Sequence, residues 1–486
     1  MSTLRIPLRP GLVLFGVLGC AACGSVGEDS AQPINNAGDT GADTAVESGR
    51  DSDTGGESHS GETGDTGETA DTAARACGTP ASPMPLPWGD LVNLPDGTLL
   101  TEDVDGGGAP DLLHQLYGDR FGIALLRGET LRAGDTTDTS WFLTITAVDD
   151  LSNVIVGTSG DIDGSGERMV LVGEGAQQSG ASQLVAWSPL EPAAPQAIYG
   201  FPDHRGGGTV WPAATPTGDL DGDGLSDLLI TAYSSDVGYS RAFIFPASTL
   251  ATGGVSSASG AWTTVIADGR AVYAPLPAPD LDGDGALDAL IASDTPDGRT
   301  AHLLLPGDLG AGVVAVDNLD PMIALGPITQ KGLFLDLAGD GAPWLFVTSV
   351  EGQGSGDAEV YGFDADSVAV AAQHRSPLDV AAAQVRIDGD HGDYLGGRLA
   401  PYSDAACETG LALSAHFRDE VRLIDAASLR AGGVVDSLSA SRLSGEEWYG
   451  IVLQGGQDLD GDSTLDLAMS GLHDTDLDVF LSAGWP

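Results

Sequence analysis

Asp219-Leu220-Asp221-Gly222-Asp223-Gly224-Leu225-Ser226-Asp227 places four carboxylates at positions 1, 3, 5 and 9 of one short loop. The apolar run Leu228-Leu229-Ile230 follows without a break. Like charges this close repel unless a cation neutralises them. A hard divalent ion such as Ca²⁺ suits a flexible set of carboxylates plus a backbone carbonyl. Gly222 and Gly224, at positions 4 and 6, permit the positive φ angles that wrap a short loop round an ion.

The phrase returns along the chain. Asp280 to Asp288 reads DLDGDGALD and Asp458 to Asp466 reads DLDGDSTLD. Weaker copies begin at Asp103 (DVDGGGAPD), Asp161 (DIDGSGERM) and Asp336 (DLAGDGAPW), and a degraded one lies around Asp388 to Tyr394. The intervals between first aspartates are 58, 58, 61, 56, 52 and 70 residues, so the chain is an internal repeat with a period near 60.

The acidity is extreme: 71 acidic residues against 20 basic, a net charge of −51 over 486 residues. Nucleic acid and direct adhesion to an anionic membrane are excluded as partners, because both need Lys and Arg. Part of the acidity is a low-complexity segment near the start, and part is the repeated loops.

Residues 1–19 carry Arg5 and Arg9 ahead of the apolar run Gly11 to Leu18, too short to span a bilayer and suited to the core of a secretory signal. Val17-Leu18-Gly19-Cys20 resembles a bacterial lipobox, which implies cleavage before Cys20 and its lipidation; Cys23 is the second candidate. Ala21 after that cysteine, by the same resemblance, implies sorting to the outer membrane or cell surface. Residues 20–76 then form a Gly, Thr, Asp, Ser and Glu tract with no aromatic residue, expected to be a disordered stalk. About fifty such residues span roughly 40 Å r.m.s.. Residues 77–486 are the ordered part. Cys77 then has one possible partner, Cys407, and an even pair in an exported chain suggests a disulfide, against two free buried thiols.

From Cys77 onward each acidic loop lies between two strand-like runs, such as Met169-Val170-Leu171-Val172 and Leu228 to Ala232 on its far side. Another strand follows 20 to 24 residues after each loop begins, as at Ile123 to Leu126 and Ala242 to Phe245, and a fourth is readable at Phe142 to Thr146 and Thr263 to Ile266. No segment holds a helical period over ten residues, and 70 glycines supply the turns. Short strands, dense turns and this period predict an all-β fold, a seven-bladed β-propeller of four-stranded blades. The last unit ends after its third strand, so residues from about Pro85 to Leu94 are expected to supply the missing outer strand and close the ring.

The loops lack the position-12 Glu and flanking helices of an EF-hand; position 12 is Ile230, Ile291 or Met469, each inside a strand. Strand, DxDxDGxxD loop and strand, repeated, resembles the FG-GAP or VCBS repeat of integrin-alpha-like propellers and bacterial surface proteins, over about residues 77–486. The resemblance implies Ca²⁺ held by side chains at positions 1, 3, 5 and 9 and a carbonyl at 7. The ligand sets would be Asp219, Asp221, Asp223, Leu225 and Asp227; Asp280, Asp282, Asp284, Ala286 and Asp288; and Asp458, Asp460, Asp462, Thr464 and Asp466. Asp103, Asp105 and Asp111 form a fourth set lacking position 5, and Asp161 with Asp163 a weak fifth; the Asp336 and Asp388 loops are expected to bind nothing. The plain alternative for all of them is a series of Asp-Gly turns.

The expected role is non-catalytic: a monomer, anchored through its lipid, that binds a glycan or protein ligand in adhesion or recognition. Candidate contacts are Trp211, Tyr273, Trp448 and Tyr449 near the starts of first strands, where the alternative is that they fill the core between blades. The eight histidines have no zinc-like spacing, and no GxSxG elbow or phosphate-cradling loop is present. The alternative class is the propeller part of a carbohydrate-active lyase or hydrolase, with its calcium purely structural.

Overall fold

A computed structural model of the chain describes residues 84–87, 99–117, 121–132, 140–145, 154–159, 168–174, 182–188, 197–201, 213–217, 219, 224–234, 239–247, 255–257, 261, 263–267, 272–283, 287–295, 298–305, 312–319, 321–325, 332–350, 358–390, 393–445, 449–450, 452–471 and 476–480. The chain divides into Met1–Ala70 and Asp71–Pro486, and every described residue falls in the second unit. The signal, Cys20, Cys23, the stalk and Cys77 lie outside the described residues, and no described helix is long and apolar enough to cross a membrane.

The apolar runs on either side of each acidic loop are strands, and they assemble into seven sheets. Sheet 1 is Leu99–Glu102, Asp111–Tyr117, Phe121–Leu126 and Ser140–Ile145. Sheet 2 is built on Val154–Thr158, Val170–Glu174, Ser182–Trp187 and Ala197–Phe201. Sheet 3 is built on Ala213–Pro216, Leu228–Ser234, Tyr239–Phe245 and Thr263–Ile266. Sheet 4 is built on Val272–Ala278, Asp288–Thr295, Gly298–Leu304 and Pro321–Leu325. Sheet 5 is built on Gly332–Leu335, Trp344–Val350, Ala358–Phe363 and Val385–Asp388. Sheet 6 is Leu399–Ser403, Thr409–Ala415, Glu420–Ile424 and Ser441–Ser444. Sheet 7 unites the two ends: Val452–Gln457, Asp466–Ser470 and Asp476–Phe480 are completed by Met84–Pro87, with Met84 opposite Val479 and Pro87 opposite Asp476. The fold is an all-β propeller whose core strands pair antiparallel in sequence order.

Packing follows from period-two alternation. In strand 2 of sheet 3, Leu228 and Ile230 pack toward sheet 2 while Leu229 packs toward sheet 4. Leu345 and Val347 of sheet 5 face sheet 4 and Phe346 faces sheet 6. A strand covered on both sides is apolar throughout, which is why these segments read as unbroken hydrophobic runs. Each neighbouring pair of sheets encloses one such core, and Leu112 and Leu126 meeting Val452, Ala468 and Val479 link sheet 1 to sheet 7.

The picture of seven four-stranded blades needs correction. Six sheets draw their four main strands from one stretch of chain, and the seventh is a composite of both ends. Sheets 2 to 5 carry a fifth strand, paired parallel with their outermost one: Val255–Ser257, Gly312–Ala315, Leu378–Asp379 and Gly433–Asp436. Each lies in the connection between strands 3 and 4 of the next sheet, so that connection straps adjoining sheets together. Val313 and Val434 point outward from straps at 69% and 67% exposure, while Val314 and Val435 pack inward. The expected absence of helix fails in the same connections. Ala365–His374 and Ala426–Ala431 are helices capped by Asp364 and Asp425, which accept from the N–H groups of Ser367 and Ser428. Both share the N-cap sequence Asp-Ala-x-Ser.

Sheet 6 is also stapled by charge. Arg422 and Asp393 are both buried; Arg422 Nη2 donates to Asp393 Oδ2 at 2.6 Å and Arg422 Nη1 to Ser437 Oγ at 2.7 Å. Ser437 in turn donates to the Asp388 carbonyl of sheet 5. Burial alone would raise the Asp393 carboxyl, but hydrogen bonds from Arg418 and Arg422 outweigh it and hold the carboxyl below its ordinary value. Arg422→Met leaves a buried carboxylate short of its counter-charge, and denaturant unfolding is expected to show a loss of about 3–5 kcal/mol. Arg442→Met, at an exposed ion pair, is expected to change stability by less than about 1 kcal/mol.

His114, fully buried in sheet 1, has its imidazole pushed by burial from 6.5 down to about 4. The unfolded chain then binds a proton that the folded chain refuses. This contribution to stability is complete above pH 6.5 and is lost as pH falls toward 4, on the order of 3 kcal/mol in all. Urea titrations across that window are expected to show the slope, and His114→Gln to flatten it.

Candidate metal centres

Each acidic loop joins strands 1 and 2 of its sheet, so the loops share one face of the propeller. The last aspartate of the motif begins strand 2 and is buried: Asp111, Asp227, Asp288 and Asp466 are all 1% exposed or less. Its carboxylate gathers backbone donors from separate places. Asp111 Oδ2 accepts from Val104 and Asp105 N–H at 3.0 and 3.3 Å, and Oδ1 from Gly128 N–H at 2.8 Å. Asp288 and Asp466 repeat the first contact with Leu281 and Leu459, both at 2.8 Å. Asp227 repeats the second with Ala247 at 2.9 Å. Gly128 and Ala247 each stand two residues past the end of strand 3. The position-9 carboxylate therefore pins the acidic loop to the exit of the third strand.

Three groups bring carboxylate oxygens within 4.8 Å of one another: Asp103, Asp105 and Asp111; Asp280, Asp282 and Asp288; and Asp458, Asp460 and Asp462. The second and third fall on loops expected to be complete, the first on the loop lacking position 5. The fit to a cation rests on two buried oxygens, Asp103 Oδ1 and Asp462 Oδ2, which have no hydrogen-bond partner among the described residues. Burial pushes the Asp460 carboxyl up, and the charges of Asp462 and Asp458 add to it. Burial likewise raises Asp111 to about 6, with the Asp105 charge adding to it, against the hydrogen bonds from Gly128, Val104 and Asp105. Carboxylates held together at this cost are what a hard cation relieves. Gly461 and Ser463 hold the turn at φ 84° and 71°; the serine that replaces glycine adopts the left-handed conformation all the same.

Asp466 is absent from the third group; its carboxylate accepts from Leu459 N–H, while Thr464 is buried and donates through its N–H and hydroxyl to Asp462 Oδ1. In the Asp219 loop, Asp219, Leu225 and Asp227 are described, while Asp221 and Asp223 are not; Asp284, Ala286, Asp161 and Asp163 also lie outside the described residues.

The first loop contains groups that its motif does not show. Arg127, just past strand 3, donates to Asp105 Oδ2 at 2.6 Å and supplies an internal positive charge. A Cβ on Gly107, the position-5 residue, would stand 2.6 Å from Glu129 Oε1 and 2.8 Å from Asp105 Oδ1. Glu129 thus brings a carboxylate from the third-strand connection to the place the missing side chain would fill. A glycine at position 5 paired with an acidic residue three places past strand 3 is the signal that reveals it.

Two expectations about degraded loops divide. Asp336 turns inward on its own loop and accepts from the N–H groups of Ala338, Gly339, Asp340 and Gly341. Burial would raise its carboxyl, but those four bonds hold it below the ordinary value. The Asp388 copy, by contrast, is misplaced: Asp388 ends strand 4 of sheet 5. The strand 1–2 connection of sheet 6 is the tight turn 404–408. There Asp404 takes over the pinning role, accepting from Ala406 and Glu408 N–H with Oδ1 and from Ala426 N–H with Oδ2. Cys407 in this turn is disulfide-bonded, with φ 60°.

Of the aromatic candidates, Tyr449 is withdrawn. It is 2% exposed, packs in the core between sheets 6 and 7, and donates to Asp478 Oδ2 at 2.6 Å. Tyr273 lies in strand 1 of sheet 4 opposite Ala292, and Trp211 and Trp448 lie outside the described residues.

No protein-family model matches the chain, and no curated protein matches it. Solved structures similar to it include BBS1N in complex with ARL6DN, at 10% identity and TM-score 0.46, covering 83% of this chain and 97% of that one. A humanized mutant of the Chaetomium thermophilum Polycomb Repressive Complex 2 gives 10% identity and TM-score 0.46, covering 83% and 98%. The Dos1 propeller gives 9% and 0.39, covering 77% and 75%. Similarity this slight carries nothing about ligands, and the fold assignment stands on the sheet order and the inter-sheet cores.

The two kinds of aspartate are separable by unfolding measurements. Asp111→Ala, which strands buried N–H groups and removes a member of the first group, is expected to cost about 2–3 kcal/mol already in EGTA and more in calcium. Asp460→Ala is expected to be neutral or mildly stabilising in EGTA, where it removes repulsion, and destabilising only in calcium.

Proposed function

We propose that this protein is a calcium-stabilised, non-catalytic binding propeller of the FG-GAP/VCBS kind, displayed at the cell envelope on a lipidated Cys20 and an acidic stalk. The observation that carries the metal is the coincidence of three tight carboxylate groups with three copies of the repeated loop. Ca²⁺ is favoured over transition metals because every donor in these groups is oxygen. Bound only by the folded chain, each ion adds about 2.7 kcal/mol at a hundredfold excess over Kd.

The propeller scaffold is compatible with a ligand-binding role, and the net charge of −51 favours a neutral or basic ligand, a glycan or a protein. Localisation at the outer membrane or cell surface rests on the lipobox resemblance. In a thermal melt, calcium at millimolar concentration is expected to raise Tm by several degrees and EGTA to reverse it. An identical Tm in the two would overturn the calcium reading.

A further inference from the structure

Sheets 2 to 5 each carry a strap supplied by the strand 3–4 connection of the next sheet; sheet 6 carries none among the described residues. Its supplier would be sheet 7, whose strand 3 is Asp476–Phe480 and whose strand 4 is Met84–Pro87. No continuous connection joins those two strands; the residues after Phe480 and before Met84 stand in its place. The bare edge shows in burial. Strand 4 of sheet 5, under its strap, has Val385 and Ile387 fully buried. Strand 4 of sheet 6 leaves Ser441, Arg442 and Ser444 exposed and Leu443 half-buried. Straps also fill the cores between sheets, as Val314, Leu378 and Val435 do. At that position on sheet 6 lies a cavity of about 370 Å³, walled by Tyr402, Leu423 and Leu443 on the side of sheet 7, with Asp425 and Asp436 beside them.

The disulfide of Cys407 points to the segment that belongs there. Cys407 lies in the turn 404–408, on the acidic-loop face of sheet 6. Met84 pairs with Val479, one residue before strand 3 ends, so the chain reaches Met84 from that same face. Cys77 stands seven residues before Met84, a reach of up to about 25 Å. Cys23 and Cys20 stand 54 and 57 residues before Cys77, and residues 481–486 hold no cysteine.

Two other connections show the contact such a bond requires. Arg132, eight residues before strand 4 of sheet 1, lies against the acidic loop of sheet 7, where a Cβ on Gly461 would stand 3.1 Å from Arg132 Nε. Arg430, eleven residues before strand 4 of sheet 6, donates from Nη1 to the Leu337 carbonyl in the loop of sheet 5 at 3.0 Å. In both, the approach to strand 4 touches the strand 1–2 loop of the preceding sheet. Cys77 and Cys407 stand in the same relation.

We infer that Cys407 is bonded to Cys77, and that residues 77–83 lie along Ser441–Ser444 and cover the cavity, as the straps do on sheets 2 to 5. The partner of this surface is the chain's own segment before its closing strand. The bond forms by exchange with a disulfide oxidant, which leaves as a dithiol, so the two thiols give it two electrons and two protons. Met84–Pro87 joins sheet 7 through four residue pairs. A pull on the chain from its N-terminal side is borne by the disulfide before it reaches those pairs. The inference is independent of the metal and of any ligand.

The test is peptide mapping of the full chain digested without reduction, followed by hydrogen-exchange mass spectrometry. The map is expected to hold a peptide pair that joins Cys77 to Cys407 within one chain. Cys407 found free, bonded to Cys20 or Cys23, or bonded to a second copy overturns the proposal. Exchange of residues 441–444 is expected to quicken at least about tenfold in Cys77→Ser, while residues 112–114 in sheet 1 keep their protection. Unchanged exchange at 441–444 overturns the docking even if the bond is found. Should Cys77→Ser not fold, mild reduction of the folded chain gives the same comparison, with the same outcomes.

Discussion

Every sheet of this protein has a neighbour on each of its two faces, and that constraint shapes the rest. A strand covered on one side can alternate polar and apolar residues; a strand covered on both cannot. Leu228, Leu229 and Ile230 illustrate the consequence, with successive side chains entering different cores. Because each core belongs to two sheets, none is complete until its neighbour has docked. The joining of Met84–Pro87 to the last three strands supplies the final neighbour and covers an edge that would otherwise offer unpaired backbone groups.

Within that ring the loops are organised by one buried carboxylate per well-formed unit. Asp111 ties the acidic loop to the exit of the third strand, and parallel contacts recur at Asp227, Asp288 and Asp466. The same loops hold carboxylates gathered and mutually repelling, an arrangement that could hold a cation. Sheet 6 shows that the two roles separate. Its turn has lost the acidic loop, yet Asp404 still reaches Ala426. The pinning carboxylate is present in sheet 6 where the acidic set is not.

The connections between third and fourth strands are where the units differ most. They carry the short helices, the straps laid on the preceding sheet, the Glu129 carboxylate beside the first loop and the cavity at sheet 6. Their apolar residues still enter the inter-sheet cores, Leu378 between sheets 4 and 5 and Leu429 between sheets 5 and 6, so the variation is carried by the segments around those contacts.

The repeat of DxDxDG loops between apolar runs, read by itself, determined the all-β propeller, the strands on each side of the loops, the N-terminal strand that closes the last sheet and the carboxylates that come together. Those features depend on local spacing and strand periodicity, which a linear pattern records directly. It misread Asp388 as a loop aspartate, left Tyr449 open between a ligand contact and the core, and gave no hint of the straps. Each of those depends on which neighbour a segment meets. Asp388 is defined by its pairing with Glu359, Tyr449 by the core between two sheets, and the straps by parallel contacts between units. Only the tertiary structure decided them, because burial and pairing across 20 to 60 residues of chain are properties of the assembled ring and not of any one repeat.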